Sequence, residues 1–204
     1  MDRNIERAVQ RARKYWYEDG LTEIAAGCVF VGMEMLFLAE AFRVIPSGAS
    51  SIGLIVLVIG GGWLARRIVA HAKARLTYPR TGFVSYRRQK GRRSRAVTAT
   101  VGAVMAILVS LLFATSPVSL SWIPAVDGLA IGVFTLYLGH SLGLVRFYVL
   151  SAASAVIGCG ISLSAAGDVL GSGIYFGLMG LAILASGATA LTGYLRRTGR
   201  SEAE

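Results

Sequence analysis

Six stretches of about 20 mainly apolar residues constrain this sequence more than any other feature. They lie at residues 24–43, 50–69, 96–114, 124–143, 146–165 and 173–194. A helix needs about 20 such residues to cross the ~30 Å hydrocarbon core of a bilayer, because it rises about 1.5 Å per residue. The chain is 54% hydrophobic and only 16% charged, too apolar for an ordinary soluble domain. We therefore predict an all-α fold, a polytopic membrane helix bundle of about six transmembrane helices.

The positive charges predict the orientation of this bundle. Twenty of the 21 Lys and Arg residues precede the first span, link spans two and three, start span five at Arg146, or lie in the tail. Arg43 is the exception. With the amino terminus inside, all four places are cytoplasmic, as the positive-inside rule requires. We predict an N-in/C-in protein of the bacterial cytoplasmic (inner) membrane, without a signal peptide because the first 20 residues are charged throughout.

The chain divides into two predicted units. Residues 1–20 form an amphipathic interfacial helix, since Ile5, Val9, Ala12 and Trp16 recur at spacings near four among charged residues. Residues 21–204 form the six-helix membrane domain, which includes a basic cytoplasmic loop at residues 66–95.

The basic loop carries most of the net charge. It contains eleven Lys or Arg residues and no Asp or Glu, so we expect anionic lipids beside it. Aromatic residues such as Tyr78, Phe83 and Tyr86 are interleaved with its cations, as in single-strand nucleic-acid binders. Because no nucleic-acid-binding motif accompanies them, we expect no nucleic-acid partner.

Two cytoplasmic runs are candidates for docking a cytoplasmic or membrane protein partner. Pro79 and Gly82 predict a turn inside the basic loop. The acidic cluster before span one is expected to pair with Arg75, Arg80 or Arg87, which would orient the two runs more than stabilise them. The candidate docking residues are Glu18, Asp19, Glu23, Tyr78, Pro79, Arg80, Thr81, Gly82 and Tyr86.

The same two runs carry a resemblance. The segments YWYEDGLTEIAAG at residues 15–27 and RLTYPRTGFVSYR at residues 75–87 resemble segments found together in a family of small, uncharacterised bacterial multi-span membrane proteins. The likeness covers about the first half of the chain. It implies a bacterial membrane protein, and it brings no activity, ligand or catalytic residue with it.

Polar residues within the spans are the second group of candidates. Glu34 lies near the middle of span one, where an acid costs roughly 2.5 to 3.5 kcal/mol on insertion. It is either a proton- or cation-handling site, which Glu40 would join, or a protonated side chain hydrogen-bonded to a Ser, Thr or Tyr of another helix. His140 lies toward the inner end of span four. No metal-ligand spacing surrounds His140 or the other histidine, His71, so we predict no metal site.

Small residues at four-residue spacing predict close helix contacts. The pairs are Gly128 with Gly132, Gly139 with Gly143, and Gly173 with Gly177. They favour packing within one bundle, with a homo-oligomer as the alternative. The glycines at residues 60–62 predict an interruption of span two, of the kind that exposes backbone groups in transporters.

Catalysis has little support in the sequence. It contains no zinc-protease helix motif, no phosphate-binding glycine loop and no nucleophile elbow, so we predict neither an enzyme nor a cofactor. Two function classes remain. One is a non-catalytic membrane module whose cytoplasmic face docks a partner protein or anionic lipid. The other is a small oligomeric transporter or channel for a proton, cation or small solute that uses Glu34.

Overall fold

The described part of the chain is helical apart from short links. The computed structural model describes Tyr17 and residues 19–76, 119–164 and 166–200. Helix α1 is Leu21–Ala41, α2 is Ser47–Val56, and a π-helical turn at Leu57–Gly61 joins α2 to α3, Gly62–Leu76. A 3-10 turn, Leu120–Trp122, precedes α4, Ile123–Leu142; α5 is Val145–Leu163 and α6 is Asp168–Arg200.

Five of the helical segments are long and apolar enough to cross a membrane. They are Leu21–Ala41, Ser47–Ala72, Leu120–Leu142, Val145–Leu163 and Asp168–Arg196. The predicted all-helical class is thereby confirmed for these residues, and five of the predicted spans correspond to helices with the length and composition needed to cross a membrane. The predicted third span at 96–114, the amphipathic helix at 1–20 and most of the loop at 66–95 lie outside the described residues, so the count of six stays a prediction.

The glycines of the second span widen the helix and do not break it. The chain stays helical from Ser47 through Leu76, and the residues at 57–61 form a π turn. A Cβ placed on Gly60 or Gly62 would meet no atom within 4 Å. Without a Cβ, glycine loses helix propensity but permits unusual backbone geometry. The predicted interruption is therefore a local change of helical pitch.

Helices α1 and α6 form one of the two main packing pairs. A Cβ on Gly27 would lie 2.6 Å from Cγ of Leu184, and one on Gly180 would lie 3.1 Å from Cβ of Phe30. Side chains at these positions would push the helices apart. In lipid, where apolar burial drives little association, such close approach supplies the dispersion contacts that hold helices together.

Helices α4 and α5 form the second main pair. Gly128 and Gly158 face each other, and a Cβ on Gly128 would lie 2.9 Å from Cα of Gly158. Serines of α5 bond to the backbone of α4: Ser154 donates to the carbonyl of Gly128 at 2.8 Å, and Ser162 accepts from the N–H of Ala125 at 2.9 Å. The second bond satisfies a first-turn donor that has no partner within its own helix.

Helix α6 is central because it contacts α1, α4 and α5. Its residues Tyr175 and Met179 are fully buried. Phe176 stacks on Phe37 of α1 with ring centroids 5.5 Å apart, and the hydroxyl of Tyr175 lies 2.8 Å from Oγ of Ser154. This aromatic layer joins the two helix pairs into one bundle.

Candidate functional site

A buried ion pair at one end of the bundle is the most specific polar feature of the described residues. Glu23 lies in the first turn of α1, Arg146 in the first turn of α5, and Ser186 on α6. Nη2 of Arg146 lies 2.8 Å from Oε1 of Glu23, and Ser186 donates a hydrogen bond of 2.8 Å to Oε2. One carboxylate thus joins three helices. We call these three residues the inner-end cluster, after the end of the bundle that the sequence predicts to be cytoplasmic.

Burial differs between the two charged partners. The Glu23 side chain is 4% exposed and that of Arg146 is 22% exposed. A carboxylate withdrawn from water needs compensating partners, because desolvation otherwise costs several kcal/mol. Arg146 supplies the opposite charge and Ser186 a hydrogen bond. Arg146 therefore compensates a buried acid while keeping partial contact with its surroundings.

The same arginine also holds the segment that enters α1. A second contact of Nη2 goes to the backbone carbonyl of Tyr17, to which it donates. Asp19 is 1% exposed, and its Oδ1 accepts from the N–H of Leu21 at 3.3 Å. Gly20 has φ +69°, and any Cβ there would overlap the carbonyl of Gly187 on α6. A left-handed glycine in close contact fixes the entry segment against α6.

Within the described residues, the ion-pair partner of Glu23 is Arg146, which belongs to another span. The predicted pairing of the acidic cluster with arginines of the basic loop stays a prediction, because Arg80 and Arg87 lie outside those residues. Glu18, Tyr78, Pro79, Arg80, Thr81, Gly82 and Tyr86 lie outside the described residues, as does Arg87. Asp19 and Glu23 are buried, so they shape this end of the bundle and do not present an acidic surface.

Glu34 lies against a glycine of the central helix. It is half-buried on α1, and a Cβ on Gly177 of α6 would overlap its carboxylate. Among the residues that the structure describes, its carboxylate has no hydrogen bond and no ion pair. The absence of a side chain at Gly177 makes room for the acid between the two helices.

The other polar candidates lie apart from Glu34. Glu40 is half-buried and lines an open groove at the opposite end of the bundle from the inner-end cluster, together with Arg43 and Asp168. It lies about 9 Å along the helix axis from Glu34. His140 is exposed in the last turn of α4. In the described ranges, no three His, Cys, Asp or Glu side chains are placed to hold a metal ion.

The predicted packing glycines occupy three kinds of position. Gly128 and Gly132 face the backbone of α5, at Ser154 and Ser151 respectively, while Gly173 and Gly177 face α1. Gly139 lies against the ring of Tyr148 and Cβ of Phe147. Gly143 ends α4 with φ +65° and open space around it. A left-handed residue at a helix end favours glycine, so Gly143 is a cap and not a packing contact.

Sequence reasoning missed Arg146 and Ser186 as site residues. Arg146 was used only as an inward charge, and Ser186 was one polar residue in an apolar span. The available signal was that Glu23 and Arg146 each open a span on the same predicted side. Their contact depends on which helices are neighbours, and the spacing of apolar residues does not encode that.

Comparison of the chain with protein-family models, with curated proteins and with solved structures found no match.

Proposed function

We propose that this chain is a non-catalytic integral membrane module whose cytoplasmic face docks a partner protein or anionic lipid. The observation that carries the proposal is the inner-end cluster, in which Arg146 joins Glu23 and the Tyr17 carbonyl. This contact fixes the segment before α1 to α5, and the close approach of Gly20 to Gly187 fixes it to α6. A surface that is fixed before a partner arrives loses less conformational entropy on binding than a mobile one.

The charges predicted for the end of the bundle that holds the inner-end cluster also support docking. Glu23 is compensated by Arg146 within the bundle, and the loop at residues 66–95, with eleven Lys or Arg residues and no acid, has the composition of a cationic surface. Such a surface attracts anionic partners and inner-leaflet lipids. The charge distribution supports the placement of both termini inside, and the resemblance of the two cytoplasmic runs supports a bacterial membrane.

The alternative class, a small oligomeric transporter or channel, would use Glu34. The fit of its carboxylate against Gly177 gives this acid a structural use, as a side chain packed between α1 and α6. We therefore rank the module above the transporter. A Glu34→Gln variant tests this order: proteoliposome flux of protons or cations should not depend on the substitution, and loss of a measured flux would favour the transporter.

The test of docking replaces the turn-containing part of the basic loop. Residues 77–86 are exchanged for a Gly/Ser segment of equal length, and an E34Q variant serves as the matched control. After cross-linking in cells, the unchanged chain and E34Q should retain the same defined partner, and the loop variant should lose it at equal membrane insertion. A partner retained by the loop variant would contradict docking through this loop.

A further inference from the structure

The inner half of the second span presents an apolar face that ends in cations. Trp63 is 56% exposed and Ile68 is 57% exposed. Arg66, Arg67 and His71 follow on the same helix and are also exposed. In a chain that spans a bilayer, exposed apolar side chains face acyl chains, so these cations lie where the hydrocarbon gives way to headgroups.

Arg67 is held at this boundary by its neighbours. Its guanidinium carbon lies 4.2 Å from the centre of the Trp63 ring, a cation–π geometry. Residues 63, 67 and 71 are four apart and therefore share one face of α3. Nδ1 of His71 lies 3.0 Å from the backbone carbonyl of Arg67, and because a carbonyl only accepts, Nδ1 must carry the proton. In the neutral ring Nε2 is then an acceptor, available to a donor such as a headgroup hydroxyl and not to a phosphate oxygen.

Neither arginine is neutralised by the described part of the chain. Arg66 and Arg67 form no ion pair with any acid in the described ranges, in contrast to Arg146, whose charge is compensated by Glu23. Arginine presents a planar fork of N–H donors that matches the oxygens of a phosphate group. Two guanidinium groups without an ion-pair partner in the described ranges, at the boundary of the lipid, are complementary in charge to an anionic headgroup.

We propose that Trp63, Arg66, Arg67 and His71 form a seat for one anionic phospholipid of the inner leaflet. The phosphate lies against the two guanidinium groups, and the acyl chains lie along the exposed apolar face that ends at Trp63. A free phosphate would use the cations but leave this apolar face uncovered, and a lipid uses both. The seat rests on the proposed function for its placement on the cytoplasmic side.

Trp63 provides a built-in reporter for this seat. In full-length W16F/W122F protein it is the only tryptophan, and bromine atoms on lipid chains quench its fluorescence at short range. The protein is reconstituted in phosphatidylcholine vesicles that contain a minor fraction of brominated phosphatidylglycerol or, in parallel, brominated phosphatidylcholine. We expect preferential quenching by the phosphatidylglycerol, with a lipid preference of about fivefold for each arginine. R66Q/R67Q should abolish the preference.

Two controls separate the seat from general charge attraction. A W16F/W63F protein, which reports from Trp122 at the other end of the bundle, should show no lipid preference. The exchange of residues 77–86 should leave the preference at Trp63 largely in place. Equal quenching by both lipids would overturn the seat, and so would a preference that survives R66Q/R67Q. Quenching by neither would also overturn it, because a protein surface would then cover the face.

The outcomes also distinguish the seat from the proposed function. If Trp63 shows no lipid preference while the loop variant still loses its protein partner, the seat is wrong and the docking module stands. If the preference is present and the loop variant keeps its partner, the seat stands and docking through the loop is wrong.

Discussion

Arg146 and Glu23 form one ion pair, but we expect the loss of each to change the free energy of unfolding by a different amount. Glu23 is nearly inaccessible, whereas Arg146 keeps 22% of its side chain exposed. If the arginine is removed, a buried carboxylate remains whose one hydrogen-bond donor within the described residues is Ser186. If the acid is removed, the arginine keeps its contact with the Tyr17 carbonyl and partial access to its surroundings. The cost of a broken pair depends on what is left behind.

We therefore expect Arg146→Gln to destabilise the protein more than Glu23→Gln. Loss of one partner of a buried pair costs about 3 to 5 kcal/mol, and we place R146Q near the lower bound because the arginine is partly exposed. Unfolding in mixed detergent micelles measures both variants, and R66Q, at an exposed arginine, is the control. The double variant E23Q/R146Q should cost less than the sum of the two single changes. Additive costs would show that the pair contributes no coupling.

At the scale of elements, the sequence predicted the helices better than their contacts. The apolar stretches at 24–43 and 146–165 correspond to α1 and α5 within a few residues, because a spanning length is a local property. The contact between Glu23 and Arg146 was not predicted, since it depends on how helices distant in the chain pack together. The role of Gly143 was also missed, because four-residue spacing does not distinguish a packing glycine from a left-handed cap.

The contact of α4 with α5 should be sensitive to a single methyl group. Alanine at Gly158 would place its Cβ against the Pro124 carbonyl, a backbone atom that cannot rotate away. We expect G158A to cost about 1 to 3 kcal/mol, as overpacking does. G160A is the matched control, because a Cβ there meets no atom within 4 Å and alanine has the better helix propensity. Thermal unfolding in detergent should separate the two, and equal stability would contradict this packing.

At the scale of the whole molecule, the positions of the cations and of the exposed apolar side chains both agree with a bundle that spans a membrane. Arg146, Arg66 and Arg67 belong to the end that the sequence places in the cytoplasm, and the exposed apolar side chains lie along the spans. In a bilayer those side chains face lipid. Their exposure then lacks the free-energy cost that it would have in water. The orientation predicted from the sequence puts the basic loop on the same membrane surface as the inner-end cluster.

This orientation predicts which sites reagents can reach. In a C28A/C159A background, a membrane-impermeant maleimide should label S119C in intact cells and S201C only after the membrane is opened. A fluorescent or enzymatic reporter fused after Gln89 should behave like S201C. Labelling of S201C from outside, with S119C protected, would invert the orientation and move the inner-end cluster to the other membrane surface.

The π turn at Leu57–Gly61 has a consequence for the direction in which the second span points its side chains. A π turn takes up more residues per revolution than an α-helix, by roughly one residue. A helical wheel drawn at about 100° per residue through this span would therefore misplace every side chain after residue 61 by about one position. Such a wheel would place Arg67 on the wrong side of the helix, because the π turn determines the direction in which its side chain points.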